Sequence, residues 1–158
     1  MHIYLLALLI GIVAGLRTMT APAAVSWAAY LGWLPLQNTP LAFLGYVAVP
    51  YVFTLLAIGE LIADQLPKTP SRKVPVQFGA RIVSGALCGA AIGAAAGTLA
   101  GGLVAGVIGA VIGAVIGTLG GAAARARLAR AFGRDMPAAL IEDAVAIVGA
   151  YLIVAAFA

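Results

Sequence analysis

Six ionisable residues interrupt otherwise apolar stretches of this 158-residue chain, and their chemistry is the most informative in the sequence. They are Arg17, Glu60, Asp64, Arg81, Glu142 and Asp143. Glu60 and Asp64 are four residues apart, so they share one face of a helix. Charged side chains inside apolar segments are costly, and in membrane proteins they often mark ion or proton pathways. These six residues are therefore candidate ligands for a cation, a proton or another small solute.

The six residues comprise four acids and two arginines, and this imbalance leaves more than one interpretation open. Two acid–arginine pairs would leave two carboxylates over, which can bind a cation, keep a proton or face water. Alternatively, the whole set is a group of salt bridges that orders the helix ends. Arg17 either holds an anionic group such as a lipid phosphate beside a broken helix, or it is a turn arginine that snorkels to the headgroups.

Groups suited to covalent catalysis are scarce. The only histidine is His2 and the only cysteine is Cys88, so no Ser–His or Cys–His set can be assembled. A metal site built on His and Cys ligands is not expected either. We therefore expect no enzyme activity, no cofactor and no resident metal ion.

The composition excludes an ordinary soluble domain. Apolar residues make up 64% of the chain and charged residues 9%, against roughly 45–50% and about 25% in soluble domains. With so few charges the chain cannot cover its apolar surface in water. We predict one transmembrane domain over residues 1–158, and we read the net charge of +4 as an orientation signal rather than a nucleic-acid surface.

The apolar runs predict an all-α bundle of about six short transmembrane helices. Residues 85–121 carry no charge and would measure about 55 Å as one helix, whereas a bilayer core is about 30 Å thick. We therefore place a turn at Ala100-Gly101-Gly102. The alternative is five spans, with residues 1–34 forming one broken helix. No Lys or Arg precedes the first apolar run, so we expect it to be retained rather than cleaved as a signal peptide.

The basic residues cluster in two predicted loops. These loops contain Lys68, Arg72 and Lys73, and then Arg125, Arg127, Arg130 and Arg134. By the positive-inside rule both loops lie in the cytoplasm, where they contact anionic headgroups. The prediction is a multi-pass protein of the bacterial inner membrane, with the six charged residues at one depth near its cytoplasmic side.

Glycine recurs at every fourth position through two of the predicted spans. The series comprises Gly85, Gly89, Gly93, Gly97, Gly109, Gly113, Gly117 and Gly121. Small residues on one helix face let another backbone approach closely, which predicts glycine-zipper packing within the chain or across a homodimer. The functional alternative is a pore lining or a sliding surface.

Several of these residues also carry a resemblance to a known family. Gly15-Leu16-Arg17 followed by Pro22, the segment from Glu60 to Pro67, Arg81 before Gly85-Ala86, and Glu142-Asp143 resemble the bacterial membrane family catalogued as domain of unknown function 4126. Gln65 stands where that pattern has a lysine. The resemblance implies a small multi-spanning inner-membrane protein and supplies no activity.

Two functions from different classes follow. The first is a small transporter or channel-like protein, expected as a homodimer, with a carboxylate–arginine site for a cation or proton. The second is a non-transporting membrane module that binds a lipid or a partner protein, in which the charged residues are structural.

Overall fold

A computed structural model describes residues 2–66, 74–97 and 99–158. These residues form six α-helices and one 3-10 helix, with no strand among them. In chain order they are α1 (His2–Leu16), α2 (Thr20–Tyr30), the 3-10 helix (Ala42–Gly45), α3 (Ala48–Ala63), α4 (Pro75–Ala95), α5 (Leu99–Phe132) and α6 (Asp135–Ala155). The all-α fold is confirmed. The basic residues Lys68, Arg72 and Lys73 lie outside the described residues.

Three helices in the described ranges are long and apolar enough to cross a bilayer. They are α4, the part of α5 from Val104 to Phe132, and α6. Shorter apolar helices lie at Ile3–Leu16 and Ala48–Ala63. With 11 residues, α2 is about 16 Å long, roughly half the thickness of a bilayer core. The chain is thus a membrane-type helical protein, and the choice between six and five spans stays a prediction.

Proline occupies the first turn of four helices. Pro22, Pro50, Pro75 and Pro137 lie at the third, third, first and third positions of α2, α3, α4 and α6. A proline costs little there because the amides of the first turn have no acceptor within the helix. These prolines therefore mark where the four helices begin.

The predicted turn at Ala100-Gly101-Gly102 is wrong. α4 ends at Ala95, Gly97 adopts a φ of +84°, and α5 already begins at Leu99. Glycine is needed where φ is positive, but elsewhere it can remain helical. Gly101 and Gly102 therefore lie within the first turn of α5 and do not form the connection between the two helices.

The second predicted basic loop is largely helical. α5 runs through Arg125, Arg127 and Arg130 to Phe132, and only Gly133 and Arg134 separate it from α6. Alanine, leucine and arginine are strong helix formers, and no glycine or proline occurs between 122 and 132. The helix ends at Gly133, whose φ is +68°.

α5 packs closely against both α1 and α4. A Cβ at Gly113 or Gly117 would lie under 3.0 Å from the backbone of Leu8 or Ile12 in α1, and one at Gly89 would meet Gly106 in the same way. At such distances any side chain would force the helices apart. The bare backbones are therefore what allows these three helices to pack so closely.

The other predicted glycines differ in their surroundings. A Cβ at Gly85 would lie 3.1 Å from the carbonyl oxygen of Ala110, and one at Gly109 would lie 3.5 Å from that of Tyr4. Gly93 and Gly121 are buried. Gly97 was wrongly included in the packing set, because it lies in the turn after α4 with nothing within 4 Å of its built Cβ.

The outermost helix is α3, which packs chiefly on α2 and the 3-10 helix. Trp27 of α2 donates its indole N–H to Thr54 Oγ1 at 2.9 Å, and its ring meets that of Tyr51 edge-on at 5.1 Å. One cavity lies between α3, α2 and α6, and another lies on the side of α3 that faces α4. α3 thus borders both cavities.

Candidate functional site at a helix break

The site forms around the break between α1 and α2, at residues 17–19. A helix end leaves carbonyl groups without partners, and a helix start leaves amides without partners. In an apolar surrounding each such group must find another partner. Side chains from α3, α4 and α5 supply those partners here.

Arg81 of α4 closes the end of α1. Its Nη1 donates to the carbonyl oxygens of both Gly15 and Leu16 at 2.8 Å, and the residue is only 3% exposed. A cation at a helix C-terminus also complements the helix dipole. The Thr118 hydroxyl of α5 donates chiefly to the Ala114 carbonyl oxygen at 2.8 Å and also lies 3.3 Å from the Gly15 oxygen. The carbonyl groups of Gly15 and Leu16 at the end of α1 are therefore engaged.

Glu60 of α3 closes the start of α2. Its two carboxylate oxygens accept hydrogen bonds from the backbone N–H groups of Thr18, at 2.7 Å, and Met19, at 2.8 Å. The carboxylate occupies the place that a bound anion takes at a helix N-terminus. It lies 3.7 Å from Arg81 Nη2, so one ion pair joins the two helix caps. Ser84 of α4 donates its hydroxyl to the Thr18 carbonyl oxygen at 2.5 Å, so this carbonyl within the break also has a partner.

Arg17, within the break itself, is fully buried. Its Nη1 lies 2.6 Å from Asp64 Oδ2, and its Nη2 forms an ion pair with Asp143. Asp143 also accepts a hydrogen bond from Gln65 Nε2 at 3.4 Å. Both predictions for Arg17, a lipid phosphate ligand and a snorkelling turn residue, are therefore wrong. Its guanidinium points inward because two carboxylates from α3 and α6 converge on it.

Arg125 is the site residue that the sequence did not reveal. The continuous helix α5 carries its guanidinium to Asp64, to Asp135 at 2.5 Å and to Glu142 at 3.6 Å. We predicted Arg125 in a loop against headgroups, whereas 14% of its side chain is exposed. The shortfall of two arginines against four acids is the signal from which a third arginine could have been inferred.

The structure thus brings together all six sequence-predicted site residues. With Arg125 and Asp135, the network contains every Asp and Glu of the chain. The expectation of two carboxylates left over does not hold, since Asp64 is shared by Arg17 and Arg125, and Glu142 also contacts Arg125. Removing one partner of such a buried set is strongly destabilising.

Only part of this network reaches open space. A groove of about 430 Å³ opens beside α3, lined among others by Thr18, Gly59, Glu60, Asp64 and Arg81. The Glu60 and Asp64 side chains keep 17% and 16% of their surface exposed. Arg17, Glu142 and Asp143 do not line this groove. Asp135 is also exposed, over 61% of its side-chain surface, but it does not line the groove. Within the groove, the accessible part of the network is at Glu60 and Asp64, and the buried residues Arg17, Glu142 and Asp143 form its inner part.

Within the described ranges, no group of three or more His, Cys, Asp and Glu side chains is arranged to hold a metal ion. Cys88 is a buried free thiol in α4. What the groove offers chemically is carboxylate oxygens that can accept a proton or contact a cation, beside a guanidinium.

Comparison with known proteins gives one match. No curated protein and no solved structure matches the chain. A family model described as "Domain of unknown function (DUF4126)" matches residues 4–156, which is nearly the whole chain. The matched range includes the helix break and every member of the charged network. The chain therefore belongs to the DUF4126 family of proteins.

Proposed function

We propose that this protein is a small membrane transporter in which the groove beside α3 binds a cation or a proton. One observation carries the proposal: Glu60 and Asp64 line an open groove at a helix break while both belong to a charged network. Carboxylates that are partly accessible at membrane depth are functional candidates. Discontinuous helices form the substrate and ion sites of many secondary transporters.

Binding at these carboxylates would be coupled to helix packing. Glu60 holds the start of α2 through two backbone amides, and Asp64 ties the end of α3 to Arg17 and Arg125. A proton or cation that takes up part of either carboxylate weakens those attachments. α3, which packs chiefly on α2 and the 3-10 helix, is the helix that such a change would release.

The alternative is a non-transporting module that binds a lipid or a partner protein, with a structural network. The observation that favours it is that Glu60 and Asp64 already hold backbone amides or arginines. The two functions differ in what the groove does: a transporter needs it open, whereas a structural network needs only its ion pairs.

A substitution at Gly59 distinguishes these two functions. Gly59 lines the groove, and nothing lies within 4 Å of its built Cβ, so Gly59→Phe places a ring in the groove without removing a charged side chain. Gly79 of α4 is equally unobstructed but does not line the groove, so Gly79→Phe is the matched control. Flux is measured in proteoliposomes that enclose a dye sensitive to H⁺, Na⁺ or K⁺, each under an imposed gradient of the ion that its dye detects.

We expect Gly59→Phe to abolish flux, Gly79→Phe to preserve it, and both to keep the wild-type unfolding temperature within a few degrees. Asp64→Asn should also lose flux. Equal flux in the two phenylalanine variants, or no flux in the wild type for any of the three ions, would contradict the transporter proposal and favour the module.

The remaining predictions belong to the same proposal. We propose a homodimer in the bacterial cytoplasmic membrane, acting without covalent catalysis. The charged network is expected on the cytoplasmic side, because the exposed residues Arg127, Arg130 and Arg134 are at the same end of α5 as Arg125. Their side chains are expected to contact anionic headgroups.

A further inference from the structure

A second cavity, of about 380 Å³, lies between α2, α3 and α6 and contains none of the charged network. Its lining is almost entirely apolar and includes Ala24 and Trp27 of α2, Ala57 of α3, and Ala150 and Tyr151 of α6. We call it the apolar slot. It is separate from the groove of the proposed transport site, and the inference below does not depend on that proposal.

The shape of the apolar slot fits one acyl chain. Its lining follows α2 from Thr20 to Leu31, a length of about 16 Å at helical rise. That is close to half of a bilayer core of about 30 Å, the depth of one leaflet. The lining residues Leu31, Ile58 and Tyr151 are themselves 53%, 47% and 58% exposed, so the slot opens onto the apolar outer surface of the bundle.

One end of the slot offers a hydrogen bond. Thr20 is 7% exposed, lines the slot, and its hydroxyl has no hydrogen-bond partner among the described residues. A buried hydroxyl without a partner is destabilising, which suggests that a ligand group completes it. Thr20 directly follows the break at residues 17–19, so this end of the slot lies beside the charged network. By contrast, the Trp27 indole N–H is already engaged with Thr54.

From these observations we propose that the apolar slot binds one acyl chain of a membrane phospholipid, whose ester carbonyl accepts a hydrogen bond from Thr20. The chain runs from the charged end toward the bilayer centre, and the headgroup stays at the surface. Within a bilayer an acyl chain that enters the slot leaves other lipid chains rather than water, so its burial gives little net driving force. Selectivity therefore depends on the slot shape and on the Thr20 hydroxyl.

Tryptophan fluorescence tests this proposal directly, because both tryptophans of the chain, Trp27 and Trp33, line the slot. The purified protein in maltoside micelles is titrated with phosphatidylcholine whose chains carry bromine, a contact quencher. We expect quenching that saturates near one lipid per chain and that unbrominated phosphatidylcholine reverses.

Three variants define the site. Ala24→Phe fills the slot and should raise the half-saturation concentration at least tenfold. Thr20→Val keeps the shape but removes the hydroxyl, and should raise it roughly 2- to 12-fold, as for one hydrogen bond. Ala144→Phe on the exposed side of α6, outside the slot, should leave it unchanged.

Saturable quenching that both slot variants weaken supports the proposal. Quenching that rises linearly with lipid, or that either slot variant leaves unchanged, overturns it. Absence of quenching in the wild type also overturns it. Thr20→Val keeps the test valid if Ala24→Phe fails to fold.

Discussion

Substituting Arg17 tests whether the charged network acts as one unit. Arg17 is fully buried and joins Asp64 of α3 to Asp143 of α6. In Arg17→Met, Asp64 keeps its contact with Arg125, whereas Asp143 keeps only the long hydrogen bond from Gln65. Breaking a buried pair in this way typically lowers the free energy of unfolding by about 3–5 kcal/mol.

The double variant Arg17→Met/Asp143→Leu removes the stranded carboxylate as well. We expect it to be less destabilised than the sum of the single variants by at least about 1.5 kcal/mol, as for charged residues in direct contact. Unfolding in mixed micelles with a denaturing detergent, followed by circular dichroism, measures these values. Arg127→Met, an exposed arginine on α5, is the control and should change stability by under about 0.5 kcal/mol.

Additive single effects, or an Arg17→Met variant within about 0.5 kcal/mol of the wild type, would refute this reasoning. Either result would mean that the Arg17 guanidinium does not bind Asp143 in the folded protein. Asp64 and Glu142 would then be held by Arg125 rather than through Arg17.

Two further predictions concern the packing and the break. Gly89→Val places a side chain against the backbone of Gly106 and should lower the free energy of unfolding by about 3 kcal/mol or more. Gly120→Val is the control and should not, because nothing lies within 4 Å of a Cβ built at Gly120. Thermal unfolding compares the two variants, and equal stability would contradict the packing account. Ser84→Ala leaves the Thr18 carbonyl without its hydrogen bond and should lower the free energy of unfolding by about 1–3 kcal/mol. Ser26→Ala removes only a local hydrogen bond to Ala23 within α2 and should lower it by less. The reverse order would show that the Thr18 carbonyl is satisfied in another way.

Much of the fold follows from local properties of the sequence. The scarcity of charge identifies lipid as the solvent, and in lipid the backbone must satisfy its own hydrogen bonds. That requirement predicts helices throughout, and the prolines indicate where several of them begin. It also predicts that the few acids and arginines gather, because each is too costly to bury alone. The six residues singled out for this reason do meet in one network.

The errors arose where local signals are ambiguous. The prediction that glycine breaks the helix at residues 100–102 is wrong, because glycine can remain helical and the turn between α4 and α5 instead contains Gly97, whose φ is positive. The prediction of a loop at 125–134 is wrong for most of that range, because arginine is also a strong helix former. Composition alone does not distinguish these outcomes.

The sequence by itself determined what kind of protein this is: a lipid-embedded helical chain whose ionisable groups need one another as partners. Which group meets which was decided by the tertiary structure. Arg125 joins the network because α5 continues past the predicted boundary, and Arg17 turns inward because α3 and α6 bring two carboxylates to the helix break. Partner choice depends on distances between segments far apart in the chain, and no local pattern of residues encodes those distances.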